Sequence, residues 1–188
     1  MIIGIGGRAR SGKTSVGDYL CKCYGFKNIG FADSLKEACR QIFGFSDEQL
    51  YGSLKEVVDP YWKLTPRHIL QCVGTECMRN VFDKDIWIKA VEKKILESND
   101  NFVISDVRFP NEAEAVQRWG GFLVRVDRPN SGASGGIASH SSETSLDGFD
   151  EWDYTLNNDV QVHASLYEKV EDMLGFLNEC SNVRKVSS

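Results

Sequence analysis

The octet Gly7-Arg8-Ala9-Arg10-Ser11-Gly12-Lys13-Thr14 constrains this chain more than any other feature. It fits G-x-x-x-x-G-K-[ST] in full, follows the apolar run Ile2-Ile3-Gly4-Ile5, and precedes a helix-forming stretch over residues 13–24. In that setting the glycines let successive backbone N–H groups turn inward around an anion, and the helix N-terminus adds the positive end of its dipole. Lys13 would bridge the β- and γ-phosphates of a nucleoside triphosphate, and the Thr14 hydroxyl would ligate Mg²⁺. Gly7, Arg10, Ser11, Gly12 and Ser15 complete the expected cradle. A triphosphate and magnesium are therefore the expected ligands.

The rest of the chain alternates short apolar runs with helical stretches. Strands are expected over residues 2–5, 27–31, 102–106, 122–126 and 154–156. Helices are expected over 13–24, 34–43, 85–97, 110–119 and 165–177, with a short one starting at Ser46. Another begins at Thr65-Pro66, where Thr caps and Pro loses no needed donor, and runs through Met78. Such alternation implies a parallel sheet covered on both faces, with ligands at the edge marked by the glycine loop. The expected fold is a three-layer α/β domain of the P-loop NTPase type, a five-stranded parallel sheet flanked by helices. A single domain over 1–188 is expected, with a helical acceptor-binding region at about 33–98 and a short lid at about 127–144.

Composition closes several alternatives. At 188 residues the chain buries enough surface to fold without disulfide or metal. Hydrophobic residues are 41% and charged residues 26%, which excludes disorder and fibrous repeats. The net charge of −5 argues against coating nucleic acid, so no nucleic-acid partner is expected. No apolar run approaches the ~20 residues that span a bilayer, and the N-terminus lacks the pattern of a signal peptide, so no membrane partner is expected. The six cysteines form no C-x-x-C pair and are read as small buried hydrophobes in a reduced, cytoplasmic protein.

What becomes of the γ-phosphate is a separate question. A GTPase needs N-K-x-D, and Asn157-Asn158-Asp159 lacks the lysine. A kinase of small molecules needs cations around two phosphate groups, plus a lid. The chain offers Arg8 and Arg10 in the loop, Arg67 and Arg79 on the Thr65 helix, Arg108 after the third strand, and Arg125 and Arg128 beside a Ser/Gly stretch. Arg67, Gln71, Thr75 and Arg79 follow one another at steps of four, a polar stripe that faces either solvent or ligand. An acceptor that is a phosphate monoester needs no general base, which suits a site rich in arginine with no Ser/His/Asp constellation.

Together these motifs resemble the bacteriophage deoxynucleoside monophosphate kinases, within the P-loop nucleoside monophosphate kinases. The residues that carry the likeness are Gly7–Thr14, Phe31-Ala32-Asp33-Ser34-Leu35-Lys36, and Pro66-Arg67 with Leu70-Gln71, Gly74-Thr75 and Arg79. Trp87-Ile88, Ser105-Asp106-Val107-Arg108-Phe109-Pro110-Asn111-Glu112, His140-Ser141-Ser142-Glu143 and Asn157-Asn158-Asp159 complete it.

The resemblance implies phosphoryl transfer from ATP to a deoxynucleoside monophosphate, by a monomer or homodimer in the (host) cytoplasm. Asp33, Lys36, Arg67, Gln71, Arg79 and Arg108 would then border the acceptor. Asp106 would orient hydrated Mg²⁺ with Thr14 or hold a cation in place, and Lys13, Arg108, Arg125 and Arg128 would offset transition-state charge. Ser131–Gly136 would form the hinge of the lid. Trp62, Trp152, Tyr61 and Phe109 are candidates for stacking on a base. Other readings are a P-loop kinase of dephospho-coenzyme A or phosphomevalonate type, and a nucleotide-gated switch that hydrolyses ATP only to change shape.

Overall fold

The computed structural model describes residues 1–129, 131, 145–159 and 163–186. Five strands, β1 (Ile2–Gly6), β2 (Lys27–Asn28), β3 (Phe102–Ile104), β4 (Phe122–Asp127) and β5 (Tyr154–Asn157), form one sheet in the order β2-β3-β1-β4-β5. Every neighbouring pair is parallel, with Ile3 paired to Val103 on one side and to Phe122 on the other. Parallel strands are buried on both faces, which is why β1, β3 and β4 read as nearly unbroken apolar runs. The helices are α1 (Lys13–Tyr24), α2 (Asp33–Phe43), α3 (Asp47–Leu50), α4 (Pro66–Gln71), α5 (Ile86–Leu96), α6 (Pro110–Arg118) and α7 (His163–Val186).

The chain divides into two compact units, Met1–Ile29 with Asn99–Ser188, and Gly30–Ser98. The first holds the sheet. Alternation along β1 sends Ile3 and Ile5 to one face, where they join Val124, Val126 and Leu156 beneath Val16 and Leu20 of α1 and Val170, Met173 and Leu177 of α7. Each of these side chains contributes roughly 1.5–3 kcal/mol on burial. The opposite face of β1 and β4 is covered by α6, whose Ala113, Ala115 and Val116 are fully buried. The three layers and the five-stranded parallel sheet expected from the alternation are present.

Several boundaries differ from expectation, each for a reason visible in the contacts. Pairing of β2 stops at Asn28 rather than residue 31, because the Gly30 N–H turns to the Asp33 carboxylate at 2.6 Å and α2 begins there. The last helix runs nine residues beyond Leu177, where its apolar pattern ends. Arg184 anchors that extension, bonding Asp153 at 2.7 Å and lying 4.2 Å from the centre of the Phe122 ring. Of the six cysteines, Cys39 is buried, but Cys23 and Cys77 are exposed, so the reading of all six as buried hydrophobes needs correction. Burial pushes the Cys39 thiol up to about 11.

The second unit is helical. Thr65 caps α4 by accepting from the His68 N–H, and Ser46 and Gln49 form a reciprocal capping box at α3. The helix expected through Met78 changes character at Cys72 and continues to Phe82 as a π-helix, closed by the Asp83 N–H on the Met78 carbonyl at 2.8 Å. Trp87 of α5 donates its indole N–H to the Gly74 carbonyl in this segment, at 3.0 Å. Among the described residues no helix is long and apolar enough to cross a membrane.

Candidate active site

The Gly7–Thr14 loop leaves the carboxyl end of β1 and enters α1, as the sequence requires. Gly7 and Gly12 have φ of 134° and 108°, values a side chain resists, and Arg10 is held at φ 63°. The space is equally demanding. A Cβ on Gly7 would lie 2.3 Å from the Val126 carbonyl oxygen, and one on Gly12 2.5 Å from Nδ2 of Asn158. Lys13 curls back over the loop, its Nζ 2.6 Å from the Gly7 oxygen and 2.7 Å from the Arg8 oxygen. Ser11 is fully buried, and its Oγ makes no hydrogen bond among the described residues. A tight nest with an ammonium over it and a hydroxyl to spare is chemistry for an anion.

Beside the loop lies a cleft lined by Gly7, Arg8, Lys13, Arg108, Arg125 and Trp152, with Val107, Asp127, Leu146 and Asp147 between them. Lys13, Arg108 and Arg125, far apart in sequence, therefore meet at one edge of the sheet. Arg128 borders an adjoining cleft with Arg8, Asp127, Asn157 and Asp159. Two of the arginines are held by carboxylates: Arg8 Nη2 lies 2.9 Å from Asp147, and Arg125 Nε lies 2.7 Å from Asp127.

The segment after β3 is fixed from both sides. Ser105 packs against α1, where a Cβ on Gly17 would meet it at 3.3 Å, and the Val107 N–H bonds the Ile5 carbonyl of β1. Asp106 sits between these anchors, half-buried. The next turn is held by Glu112, 1% exposed, whose Oε2 accepts from the N–H of Arg108 at 2.7 Å and of Phe109 at 3.1 Å. Sequence reasoning gave Glu112 no role, though an acid at the third position of a Pro-led helix is a capping signal. It named Asn158 only as part of Asn157-Asn158-Asp159 and gave that side chain no role of its own, and it passed over Asp147, which carries no local signal.

In the helical unit each expected residue has its own surroundings. Asp33 accepts the Gly30 N–H, and Lys36 stands 4.3 Å over the Tyr51 ring. Arg67 is ion-paired with Glu56. In an α-helix each step of four overshoots a full turn by about 40°, so Arg79 would drift well round from Arg67. In a π-helix a step of four falls short of a turn. The two steps from Gln71 to Arg79 therefore turn back against the drift gained from Arg67 to Gln71, which keeps the four positions nearer one side than an α-helix would. Of the aromatic candidates, Trp152 lines the cleft with its indole N–H on the Phe149 carbonyl at 2.9 Å, whereas Trp62 donates to the Phe43 carbonyl and Tyr61 is 80% exposed. Within the expected lid, residue 130 and residues 132–144 lie outside the described residues, with most of the Ser131–Gly136 hinge and all of His140, Ser141, Ser142 and Glu143.

Parallel sheet, glycine cradle and gathered cations define a phosphotransferase of the P-loop kinase class. Solved structures agree on the fold. Shikimate kinase from Aquifex aeolicus vf5 matches over 96% of this chain and 98% of its own, with a TM-score of 0.57 at 15% identity. Dephospho-CoA kinase from Campylobacter jejuni matches over 93% and 95%, with a TM-score of 0.51 at 17% identity. The family model described as deoxynucleotide monophosphate kinase matches residues 46–170, and the chain belongs to that family. A protein of Acanthamoeba polyphaga mimivirus, provisionally named a deoxynucleotide monophosphate kinase, is 39% identical over 86% of this chain and 90% of its own length. The deoxynucleotide monophosphate kinase of Escherichia phage RB69 is 25% identical over 70% of this chain; the match spans 54% of the phage protein.

Proposed function

We propose that this chain transfers the γ-phosphoryl group of ATP to a deoxynucleoside monophosphate, yielding ADP and the deoxynucleoside diphosphate. The observation that carries the reading is the meeting of Lys13, Arg108 and Arg125 beside the Gly7–Thr14 loop. An acceptor phosphate oxygen is already an anionic nucleophile. It forms a bond to the γ-phosphorus as the bond from that phosphorus to the β–γ bridging oxygen breaks, and the electron pair leaves on ADP. No proton need be removed, so the protein's task is positioning and charge neutralisation.

The donor fits the residues present. The tight turn of residues 7–14, the Ser11 hydroxyl without a partner among the described residues, and the Lys13 ammonium match a polyphosphate. Thr14, exposed in the first turn of α1, and Asp106 provide hard oxygen ligands, the one or two protein ligands that Mg²⁺ takes beside phosphates and water. Bound there, Mg²⁺ would offset charge on the donor's phosphate oxygens. Lys13 holds the donor phosphates, while Arg108 and Arg125 offset the charge of two anions brought together. Arg128, with Arg8, borders the donor on the adjoining side. In the helical unit Asp33, Lys36, Arg67, Gln71 and Arg79 take the monophosphate. A cytoplasmic location, that of the host for a viral protein, suits these substrates.

The test is a coupled assay of ADP release with ATP, magnesium and a panel of four deoxynucleoside monophosphates, four ribonucleoside monophosphates and dephospho-coenzyme A. ADP release that requires a deoxynucleoside monophosphate is expected. Release without any acceptor would mark a nucleotide switch instead, and release only with dephospho-coenzyme A would mark a different kinase.

A further inference from the structure

We infer that Asn158 is a positioning residue for the donor, holding the Gly7–Thr14 loop in its anion-binding shape from the end of the edge strand β5. Asn158 is 5% exposed, and its Nδ2 donates to the Ser11 carbonyl oxygen at 2.7 Å, a contact spanning 147 residues. A loop that turns its N–H groups toward a ligand must turn carbonyls away from it, and a buried carbonyl needs a donor. Asn158 supplies that donor to the middle of the loop.

Three further observations show that this side chain is built into place. The Asn158 backbone N–H bonds the Asp127 carbonyl at 2.6 Å, so the ends of β4 and β5 close on one another beside the loop. Lys169 of α7 donates to the Asn157 carbonyl at 2.8 Å and pairs with the Asp159 carboxylate, clamping both neighbours of Asn158. The Asn158 amide also fills the place where a Gly12 side chain would be, so the glycine and the asparagine are complementary in shape. The chain of contacts runs from α7 through the 157–159 turn to Ser11, one residue from Gly12 and two from Lys13. Asn158 touches no reacting group; it acts through the loop.

The inference rests on reading Gly7–Thr14 as the donor cradle, and the experiment separates the two. Asn158→Ala and Asn158→Asp are compared with the wild-type protein by calorimetry with ADP, by steady-state kinetics, and by amide hydrogen exchange of residues 7–14 in the protein alone. The expected result is a rise in ADP Kd and ATP KM on the order of 10- to 100-fold, the range typical of a partner that orients a binding group. The KM of the monophosphate should stay within about twofold, and exchange in the loop should quicken. Asn158→Asp keeps the size of the side chain but opposes a carboxylate to a carbonyl and to the phosphates, so it should lose more donor affinity than the alanine variant. Should the alanine variant fail to fold, Asn158→Asp and Lys169→Met carry the same test, the latter with a smaller shift in the same direction. Folded variants with wild-type ADP affinity and loop exchange would overturn the inference, whatever their thermal stability. A wild-type protein that binds no ADP would instead overturn the proposed function, while loop exchange would still report on the buttress.

Discussion

Lys13 is bonded through its Nζ to the carbonyl oxygen of Gly7, 2.6 Å away, across the mouth of the loop that positions it. The side chain is thereby aimed back over the nest rather than out along α1. Phosphate oxygens entering the nest meet a cation already in place, and orienting it costs little at the moment of transfer. Lys13→Ala should lower kcat/KM on the order of 10³-fold or more in the coupled assay. A variant within tenfold of wild type would take Lys13 out of the reaction.

Arg67 is paired with Glu56 in the helical unit, where Gln71 ends α4 and Arg79 lies in the π-helical segment that follows. A guanidinium that recognises a phosphate monoester contributes a charge-assisted hydrogen bond, about 1.5–3 kcal/mol. Arg67→Ala should therefore raise the KM of the monophosphate about 10- to 100-fold and leave that of ATP nearly unchanged. Unaltered acceptor KM would place Arg67 in a purely structural ion pair.

Much of this was legible in the chain, where local chemistry decides the outcome. The bounds of α1, the Thr65 cap and the short helix opening at Ser46 follow from residue types within one turn, and the structure has them where the sequence places them. The cradle was legible for the same reason. Features decided by distant contacts were not. Nothing near residue 177 signals that Arg184 will reach Phe122 and Asp153 and extend α7, and nothing between residues 72 and 82 distinguishes a π turn from an α turn. Asn158 and Asp147 likewise gain their meaning only from Ser11 and Arg8, more than a hundred residues away.

Gly6 ends β1 directly beneath Trp152, and a Cβ there would lie 2.4 Å from one ring carbon and 2.9 Å from another. The ring cannot withdraw freely, since its N–H is held by the Phe149 carbonyl and it packs edge-to-face with Phe149, with centroids 5.0 Å apart. Gly6→Ala should destabilise the protein by about 1–3 kcal/mol in urea titration and lower activity by displacing a wall of the cleft. Gly148→Ala, with nothing within 4 Å of the new methyl, is the control and should change stability by no more than about 0.5 kcal/mol. Equal effects of the two substitutions would contradict the packing.

Asp59 organises the turn before α4. Its carboxylate accepts from the backbone N–H of Tyr61 at 2.9 Å and of Trp62 at 3.0 Å, and from the Gln49 amide at 2.8 Å. These bonds, that of Trp62 foremost, favour the ionised form and hold its pKa below the ordinary carboxylate value. A depressed folded-state pKa gives stability that is fully present above the unfolded value, about 3.9, and is lost as pH falls through the folded one. The stability of the native protein should accordingly decline below about pH 4, in part through this group. Asp59→Asn keeps an acceptor oxygen toward the two backbone amides but does not titrate there. Its urea midpoint should therefore fall less steeply between about pH 5 and about pH 2 than that of the wild type. Parallel acid limbs would mean that protonation of Asp59 does not couple to unfolding, and that the turn is held by the aromatic packing of Trp62 on Phe43 instead.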